Sequence, residues 1–241
     1  DDERNYLFKY FLDVVEFVKP KAFVIENVPN LLTTSDSYFF NLIKEDCEKM
    51  GYTINAKILD ASDFGVPQQR KRAFIVGIKE NQVFDFSKLD YKEPPKLDEI
   101  FSDLPSLEAG EGKDMYDYIS PAKTEYQSYL RKKSITVKNH QATNHSKIVL
   151  ERLKIIPHEG GGKESLPEEH LTKSIYSGTW TRLRSDGIAR TITTRFDTPS
   201  SGQFTLPKQD RCLTVREAAR IQSFPDHFIF SGPKSNQMLQ V

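Results

Sequence analysis

The stretch Ala22-Phe23-Val24-Ile25-Glu26-Asn27 decides the fold class, because it joins a short apolar run to a carboxylate and an amide. A continuous apolar run rich in β-branched residues is typical of a strand that is buried on both faces. In open α/β sheets, ligands bind at the carboxyl ends of such strands. In the reduced dielectric expected there, Glu26 could hold or share a proton. The alternative is an acid that only caps the following turn.

Helices and further strands flank this stretch. Apolar residues spaced along one helix face predict a helix over residues 5–18 and a second over 38–50, with Gly51 just after its end. Runs of β-branched residues predict strands at 54–59 and 73–78. From residue 81 to about 120, prolines and glycines interrupt any periodicity, which indicates a domain boundary.

A second module follows this boundary. Its pattern predicts a helix over 146–156, a strand over 190–194 and a helix over 214–223. Thr214 is the expected N-cap of the last helix, and Glu217 is its capping-box partner. Packing alone explains the strand and the last helix, so we assign them a scaffold role.

The second candidate for a functional site is the segment Gln68-Gln69-Arg70-Lys71-Arg72. In an extended chain every second side chain lies on the same face, so Gln68, Arg70 and Arg72 would form a row of planar donors. Such a row can bind a carbonyl oxygen, a carboxylate or a phosphate through paired hydrogen bonds. The alternative is a solvated edge strand protected by basic residues.

Composition excludes several classes of protein. The 241 residues are 37% hydrophobic and 28% charged, with a formal net charge of +0, as in ordinary globular proteins. No apolar run approaches the ~20 residues that a transmembrane helix needs, so we expect no membrane role. The two cysteines, Cys47 and Cys212, are far apart, which indicates a reducing compartment and a cytoplasmic protein. The spacing of Cys and His residues predicts no metal site.

Taken together and in order, these segments resemble the DNA (cytosine-5) methyltransferase family. The resemblance rests on E-N-V at 26–28, Q-x-R-x-R at 68–72, R-T-I-T at 190–193 and R-E-x-A-R-x-Q-x-F-P at 216–225. Asp2-Glu3-Arg4 with Leu7 resembles the acidic-Arg-x-x-Leu segment that precedes E-N-V in the family. Several motifs in the correct order make the match specific.

The resemblance implies a fold and a division into domains. The fold is α/β: a partial Rossmann-like methyltransferase catalytic domain with an inserted, smaller α+β target-recognition domain. Residues 1–81 would be the C-terminal half of the catalytic domain, and 82–185 the target-recognition domain. Residues 186–241 would return to the catalytic domain and contain the scaffold helix.

The resemblance also implies roles for individual residues. The target cytosine is rotated out of the duplex, a cysteine thiolate attacks carbon 6, and carbon 5 takes a methyl group from S-adenosylmethionine. Glu26 would bind ring nitrogen 3 and the exocyclic amine of the base, and Arg72 its ring carbonyl oxygen. Arg70 and Gln68 would order the site, and Asn27 would fix the turn.

Two features of the family are absent from the sequence. No Pro-Cys dipeptide, the family's nucleophile, occurs in the 241 residues, and no Gly-rich strand-turn for the cofactor is present. The acidic neighbours of Cys47 would raise a thiol pKa, and Cys212 precedes the scaffold helix, so neither is expected to be a nucleophile. With Asp1 as first residue, we expect an excerpt or truncated form of a longer enzyme, inactive alone. Its partners would be S-adenosylmethionine and the missing N-terminal part or a complementing subunit.

A basic stretch in the middle of the chain is the expected DNA-binding region. Residues 131–163 contain eight Lys and Arg residues and two Glu residues. Basic residues interleaved with amides suit phosphate anchoring and base contacts on double-stranded DNA. The candidate DNA-binding residues are Arg131, Lys132, Lys133, Lys138, Asn139, Lys163 and, where the domain ends, Arg182.

Two other functions stay open at this point. A tRNA-methylating relative would use the same chemistry on another nucleic acid. A non-catalytic DNA-binding protein would fit the missing nucleophile. The long middle segment favours a DNA methyltransferase of restriction-modification or epigenetic type.

Overall fold

A computed structural model describes residues 6–34, 36–173 and 177–241 of the chain. The segment Asp2-Glu3-Arg4 therefore lies outside the described residues. Within them, no helix combines the length and the apolar composition that a bilayer crossing requires. The regular elements, in chain order, are α1 (Phe8–Val18), β1 (Ala22–Asn27), α2 (Tyr38–Lys49), β2 (Tyr52–Asp60), β3 (Gln68–Gln69), β4 (Lys71–Lys79), α3 (Leu97–Phe101), β5 (Met115–Asp117), α4 (Glu125–Arg131), β6 (Thr136–Lys138), α5 (Lys147–Ile155), β7 (Ala189–Arg190), α6 (Val215–Ile221) and α7 (Lys234–Gln240).

The chain forms two compact units. The first contains Asp1–Phe64 and Arg70–Tyr91, and the second contains Gly65–Gln69 and Lys92–Val241. This division differs from the predicted domain limits at residues 81 and 185. Residues from the predicted recognition domain and from the return segment share one hydrophobic core in the second unit, so they pack as a single body.

The first unit is built on a three-stranded antiparallel sheet with the order β1-β4-β2. One face of the sheet is covered by α1 and α2. The close packing leaves no room for a side chain at Gly77, where a Cβ atom would lie 2.3 Å from the Phe23 ring. The buried core of this unit comprises Leu12, Val15, Phe23, Ile43, Cys47, Tyr52 and Ile75.

The surroundings of β1 differ from the expectation. The sequence predicts a strand buried on both faces, but β1 lies at the edge of the sheet and only Phe23 is buried. Val24, in the middle of the strand, is 56% exposed. The apolar run thus does form a strand, but burial of its two faces requires neighbouring elements that an amino-acid pattern does not specify.

The predicted helices and strands of this unit are otherwise confirmed, with shifted ends. The predicted helix over 38–50 is α2, and Gly51, just beyond it, has a φ of +81° that favours glycine. The strands predicted at 54–59 and 73–78 are the cores of β2 and β4. Both extend further because they pair with each other along their whole length.

The second unit contains short strands and several helices around one core. Parallel strands β3 and β7 pair, and β5 pairs with β6 in antiparallel register. The predicted helix at 214–223 is α6, with the capping box formed by Thr214 and Glu217. The predicted strand at 190–194 is shorter, because after Arg190 the chain is held by side-chain hydrogen bonds instead of a ladder.

A network of fully buried charges lies around α6. Arg220 donates to both carboxylate oxygens of Asp226, at 3.0 and 2.5 Å, and to those of Asp103, at 2.5 and 3.3 Å. Arg216 lies 3.6 Å from Asp226, and Arg131 donates to Asp103 from the other side. The four carboxylate oxygens are therefore all bound, which is the condition for keeping charges inside a protein.

A second buried pair fixes the start of α6. Arg211 donates two hydrogen bonds of 2.9 Å to the Glu217 carboxylate. Burial alone would raise the pKa of Glu217, but Arg211 outweighs it and holds this pKa at about 2. Thr214 joins the pair to His140, whose Nε2 donates to the Pro105 carbonyl at 2.8 Å and whose Nδ1 accepts from Thr214 Oγ1 at 3.0 Å.

Removing one member of the buried network will destabilise the second unit. We expect Asp226→Ala to lower the free energy of unfolding by about 3–5 kcal/mol, because it leaves Arg220 buried without one of its two carboxylates. The readout is denaturant unfolding followed by the fluorescence of Trp180, the single tryptophan, which is buried in this unit. The control is Asp186→Ala, which removes an exposed pair with Arg184 and should change stability much less. Equal effects of the two substitutions would contradict this role for the network.

The second unit will also lose stability in mild acid. Burial lowers the pKa of His140 and of His145 in the folded state below the ordinary value of 6.5. The unfolded chain therefore binds protons that the folded chain does not, and stability falls as the pH drops below about 6.5. Each histidine contributes a slope of at most about 1.4 kcal/mol per pH unit.

The variant His140→Gln tests this origin of the acid sensitivity. Gln keeps a donor and an acceptor but does not titrate, so the slope of unfolding free energy between pH 7 and pH 5 should fall, by at most one proton. Stability measured with Trp180 fluorescence at four pH values gives the slope. A slope unchanged from the wild-type protein would show that His140 is not responsible.

Candidate active site

An ion pair between Glu26 and Arg72 marks the candidate active site in the first unit. Glu26 lies opposite Phe74 in the β1–β4 register, so Arg72 is its diagonal neighbour on the same face of the sheet. Arg72 Nε lies 3.0 Å from Glu26 Oε1 in this ion pair. One terminal nitrogen of Arg72 also donates to the Lys71 carbonyl at 2.8 Å. Both side chains are thereby oriented before any ligand binds.

A cavity of about 350 Å³ opens beside this pair. Its polar wall is formed by Glu26, Arg70 and Arg72. Its apolar wall is formed by Leu59, Ala61, Phe64, Phe74 and Leu89. A carboxylate and two guanidinium groups on one side, with aromatic and aliphatic surfaces on the other, suit a flat heterocycle with polar edges.

Arg70 contributes a positive charge that no carboxylate neutralises directly. Within the described residues it forms no ion pair. Partial burial and the neighbouring charge of Arg72 lower the pKa of Arg70, and Glu26 opposes this shift. An arginine remains protonated under such conditions. The cavity therefore has donor capacity for a carbonyl or anionic group.

The surroundings of Glu26 are less buried than expected. Its side chain is 49% exposed, because β1 is an edge strand. The predicted low dielectric around this carboxylate is therefore wrong for the described residues. The contact that holds the Glu26 carboxylate is its ion pair with Arg72, and burial contributes little. Next to it, Asn27 Oδ1 accepts from the Val28 amide at 2.8 Å and so begins the turn that follows the strand.

Gln68 is the third residue of the predicted row. It belongs to the second unit, is 1% exposed, and its Oε1 accepts from the Ile192 amide at 3.1 Å. Thr191 Oγ1 donates to the Gln69 carbonyl at 2.8 Å. The Gln68 side chain is therefore bound within the second unit. Gln68 joins two sequence motifs that are more than 100 residues apart.

Three of the predicted DNA-binding residues have structural roles. Arg182 is fully buried and donates to four backbone carbonyls and to Asp210. Asn139 binds the backbone of Phe230 with both ends of its amide. Arg131 donates to Asp103 and to the Ser120 carbonyl. Their donors are already used inside the protein, so assigning these three to DNA is corrected.

The other predicted DNA-binding residues are four lysines. Lys132, Lys133 and Lys163 are exposed, and Lys138 is half-buried. No described residue forms an ion pair with any of the four. They remain available to a ligand of opposite charge.

The two cysteines are poor candidates for a nucleophile. Both are completely buried. Burial, assisted by Asp46 and Glu48, raises the pKa of Cys47 to about 12, and burial also raises the pKa of Cys212. Neither residue lines the cavity beside Glu26. A thiolate for attack on a ligand in that cavity is thus not provided by the described residues.

Sequence reasoning missed part of the cavity. Leu59 and Leu89 form its apolar wall but stand outside any motif, and nothing in their local pattern indicates a site. Asp60 was also missed, although it accepts hydrogen bonds from the amides of Ser62 and Arg70. An Asp followed two residues later by Ser at a strand end is a recognisable Asx-turn signal.

The candidate cofactor site is a second cavity in the first unit. A larger cavity of about 580 Å³ lies among α1, β1 and α2, and Glu26 and Asn27 lie on its wall. Most of its other lining is aliphatic or aromatic, and it contains no glycine. A nucleoside cofactor with an amino-acid group needs glycine-rich backbone and further polar partners. This cavity by itself therefore does not fit S-adenosylmethionine.

Comparison with known proteins identifies relatives of this chain. The family model for C-5 cytosine-specific DNA methylases matches residues 1–241. Type II methyltransferase M.DdeI of Desulfomicrobium norvegicum is 35% identical, over 97% of this chain and 60% of that protein. Type II methyltransferase M1.HphI of Haemophilus parahaemolyticus is 34% identical, over 100% of this chain and 57% of that protein. The chain thus spans about 60% of the length of these relatives.

Two solved structures that resemble this chain are also methyltransferases by name. A prophage-encoded protein of Escherichia coli, classed as a DNA modification methyltransferase, superposes with a TM-score of 0.77 and 25% identity, over 100% of this chain and 69% of that one. The Dnmt2 methyltransferase of S. pombe has a TM-score of 0.52 and 15% identity, over 96% of this chain and 64% of that one. The second likeness concerns the fold alone.

Proposed function

We propose, because this chain belongs to the C-5 cytosine-specific DNA methylase family, that its first unit forms the base-binding part of a DNA cytosine methyltransferase. The α/β fold of its solved relatives is consistent with a methyltransferase domain. The observation that carries the proposal is the Glu26–Arg72 ion pair on the wall of the 350 Å³ cavity.

The polar edge of cytosine matches the groups that the ion pair leaves free. Within the described residues, Glu26 Oε2 and the second terminal nitrogen of Arg72 have no partner. Cytosine presents an amine donor, a ring nitrogen and a carbonyl oxygen along one edge. Glu26 binds the amine and shares a proton with ring nitrogen 3, and Arg72 donates to the carbonyl oxygen. Arg70 adds positive charge at the same wall.

This arrangement polarises the base in the direction that methylation requires. Attack of a nucleophile at carbon 6 moves electron density onto nitrogen 3 and the carbonyl oxygen. Donors that are already oriented toward these atoms stabilise the developing charge by a few kcal/mol each. The ion pair between Arg72 and Glu26 keeps both groups in place, so little reorganisation is needed.

The base must leave the duplex to reach the cavity. In double-stranded DNA the amine, nitrogen 3 and carbonyl oxygen of cytosine are all paired with guanine. An enzyme that binds these atoms therefore acts on a rotated, unpaired nucleotide. Phe64 and Phe74 replace part of the stacking surface that the base loses.

The nucleophile and the methyl donor come from another part of the enzyme in this proposal. Neither buried cysteine suits attack, and the cavity among α1, β1 and α2 has no glycine-rich backbone for S-adenosylmethionine. S-adenosylmethionine supplies the methyl group when it is bound. About 40% of the length of these relatives lies outside the part that this chain covers, which leaves room for both functions.

DNA is the favoured substrate over tRNA. The relatives matched over the whole chain carry the name Type II methyltransferase, a designation from restriction-modification systems. Transfer of tritiated methyl groups by the full-length protein to duplex DNA and to tRNA distinguishes the two substrates. Labelling of DNA is expected, and specific labelling of tRNA would overturn this choice. Labelling of neither, in the presence of S-adenosylmethionine, would favour a non-catalytic DNA-binding protein.

Replacing the carboxylate tests the catalytic site. We expect Glu26→Gln to lower turnover of the full-length protein roughly 10²-fold or more, because an amide cannot share a proton with ring nitrogen 3. The control is Glu48→Gln on α2, since Glu48 is 51% exposed and also forms one ion pair, with Lys44. Single-turnover methyl transfer measures both variants. Wild-type turnover in Glu26→Gln would remove this residue from the mechanism.

The free lysines of the second unit are proposed to bind the DNA backbone. Lys132, Lys133, Lys138 and Lys163 carry charges that no described carboxylate neutralises. Contacts between such side chains and phosphates position a duplex without reading its sequence.

The dependence of DNA binding on salt tests these contacts. Each phosphate contact contributes about 0.9 to the slope of log K against log salt concentration. We expect the double variant Lys132→Ala and Lys133→Ala to reduce this slope by about 1–2. The loss of affinity should be the same for every DNA sequence, because phosphate contacts do not read bases. The control is Lys49→Ala, whose lysine is exposed but paired with Asp46. A slope equal to that of the wild-type protein would place these lysines away from DNA.

A further inference from the structure

Asp60 occupies the point where the chain leaves the central sheet of the first unit. Asp60 is the last residue of β2 and pairs with Lys71, the first residue of β4. Between them the chain makes a ten-residue excursion, and Arg70 is the first residue of the first unit after its return. Arg70 and Arg72 of the cavity wall follow directly from this junction.

The Asp60 carboxylate joins the two ends of the excursion. Its Oδ1 accepts from the Ser62 amide at 3.2 Å, on the outgoing side, and from the Arg70 amide at 2.9 Å, on the returning side. The Ala61 amide donates to the Arg70 carbonyl at 3.1 Å. Both backbone polar groups of Arg70 are therefore held by residues 60 and 61.

These bonds extend the β2–β4 ladder by one residue. Regular pairing ends at Asp60 and Lys71, because Ala61 begins a short 3-10 turn and its backbone moves away. The carboxylate supplies the acceptor that the next ladder position would otherwise lack. Arg70 is thereby kept in an extended conformation in register with Arg72, and the two side chains share a face.

We propose that Asp60 is a positioning residue for the two arginines of the base cavity. The inference rests on the function proposed above, since its consequence is the placement of donors against cytosine. Asp60 itself does not line the cavity. It acts through the Arg70 backbone, and a displacement of about 1 Å in a donor lowers turnover by as much as 10²-fold.

Three variants of the full-length protein test the role. Asp60→Ala removes the acceptor, and we expect turnover to fall roughly 10- to 100-fold with little change in the KM for nucleic acid. Asp60→Asn keeps a side-chain oxygen that can accept from both amides, and should stay within about threefold of wild type. Asp63→Ala is the matched control, because Asp63 is exposed in the same turn. Thermal unfolding of each variant verifies that the fold is retained.

A double-variant comparison separates positioning from a general effect on the fold. If Asp60 acts through the arginines, Asp60→Ala will reduce turnover much less in an Arg70→Ala, Arg72→Ala background than in the wild-type background. Equal losses in both backgrounds would overturn the proposal. So would a loss of turnover of the same size in Asp63→Ala, or wild-type turnover in Asp60→Ala.

Amide hydrogen exchange gives a readout that does not need catalysis. In the 241-residue chain labelled with ¹⁵N-arginine, the Arg70 amide should be protected in wild type and in Asp60→Asn, and exposed in Asp60→Ala. Protection that persists in Asp60→Ala would overturn the inference, whatever the substrate proves to be. Failure of the proposed function would give a different result. The wild-type protein would then transfer no methyl group to DNA, but the Arg70 amide would still be protected in wild type and exposed in Asp60→Ala.

Discussion

The antiparallel register between β1 and β4 is the constraint on which the candidate site depends. It places Glu26 opposite Phe74 and therefore diagonal to Arg72, at a distance of 3.0 Å between Nε and Oε1. Side chains alternate between the faces of a sheet, so a slip of one residue would move Arg72 to the face covered by α1 and α2. The Glu26–Arg72 ion pair and the packing of Ile75 in the core require the same β1–β4 register, so both stabilise it.

The second unit depends on a different device, the burial of arginines. Arg182, Arg211, Arg216 and Arg220 are each fully buried, and every one is bound to carboxylates or backbone carbonyls. A buried charge is tolerated only where its donors are satisfied, which makes such a network specific for one arrangement of loops. This unit has few and short strands, so side-chain bonds take over the ordering that a larger sheet would provide. The same chemistry explains why basic residues in this sequence do not all mark a nucleic-acid surface.

Local sequence patterns predicted the elements better than their surroundings. The helix that became α2, its following Gly51 and the capping box of α6 depend on contacts within a few residues, and each was predicted correctly. The burial of β1 was predicted wrongly, and the bond between Gln68 and the Ile192 amide was not predicted. These features depend on partners more than 40 residues away along the chain, which periodicity does not identify.

The sequence by itself determined the family, the residue types of the site and the absence of a Pro-Cys dipeptide, because these are properties of motifs and their order. Only the tertiary structure decided which of those residues meet. It joined Glu26 to Arg72 and Arg70, placed Gln68 against Ile192, and used Arg182 and Arg131 inside the second unit. The physical reason is that the local sequence around an arginine does not show whether its donors bind a ligand or a buried carbonyl. Long-range pairing and burial settle that choice.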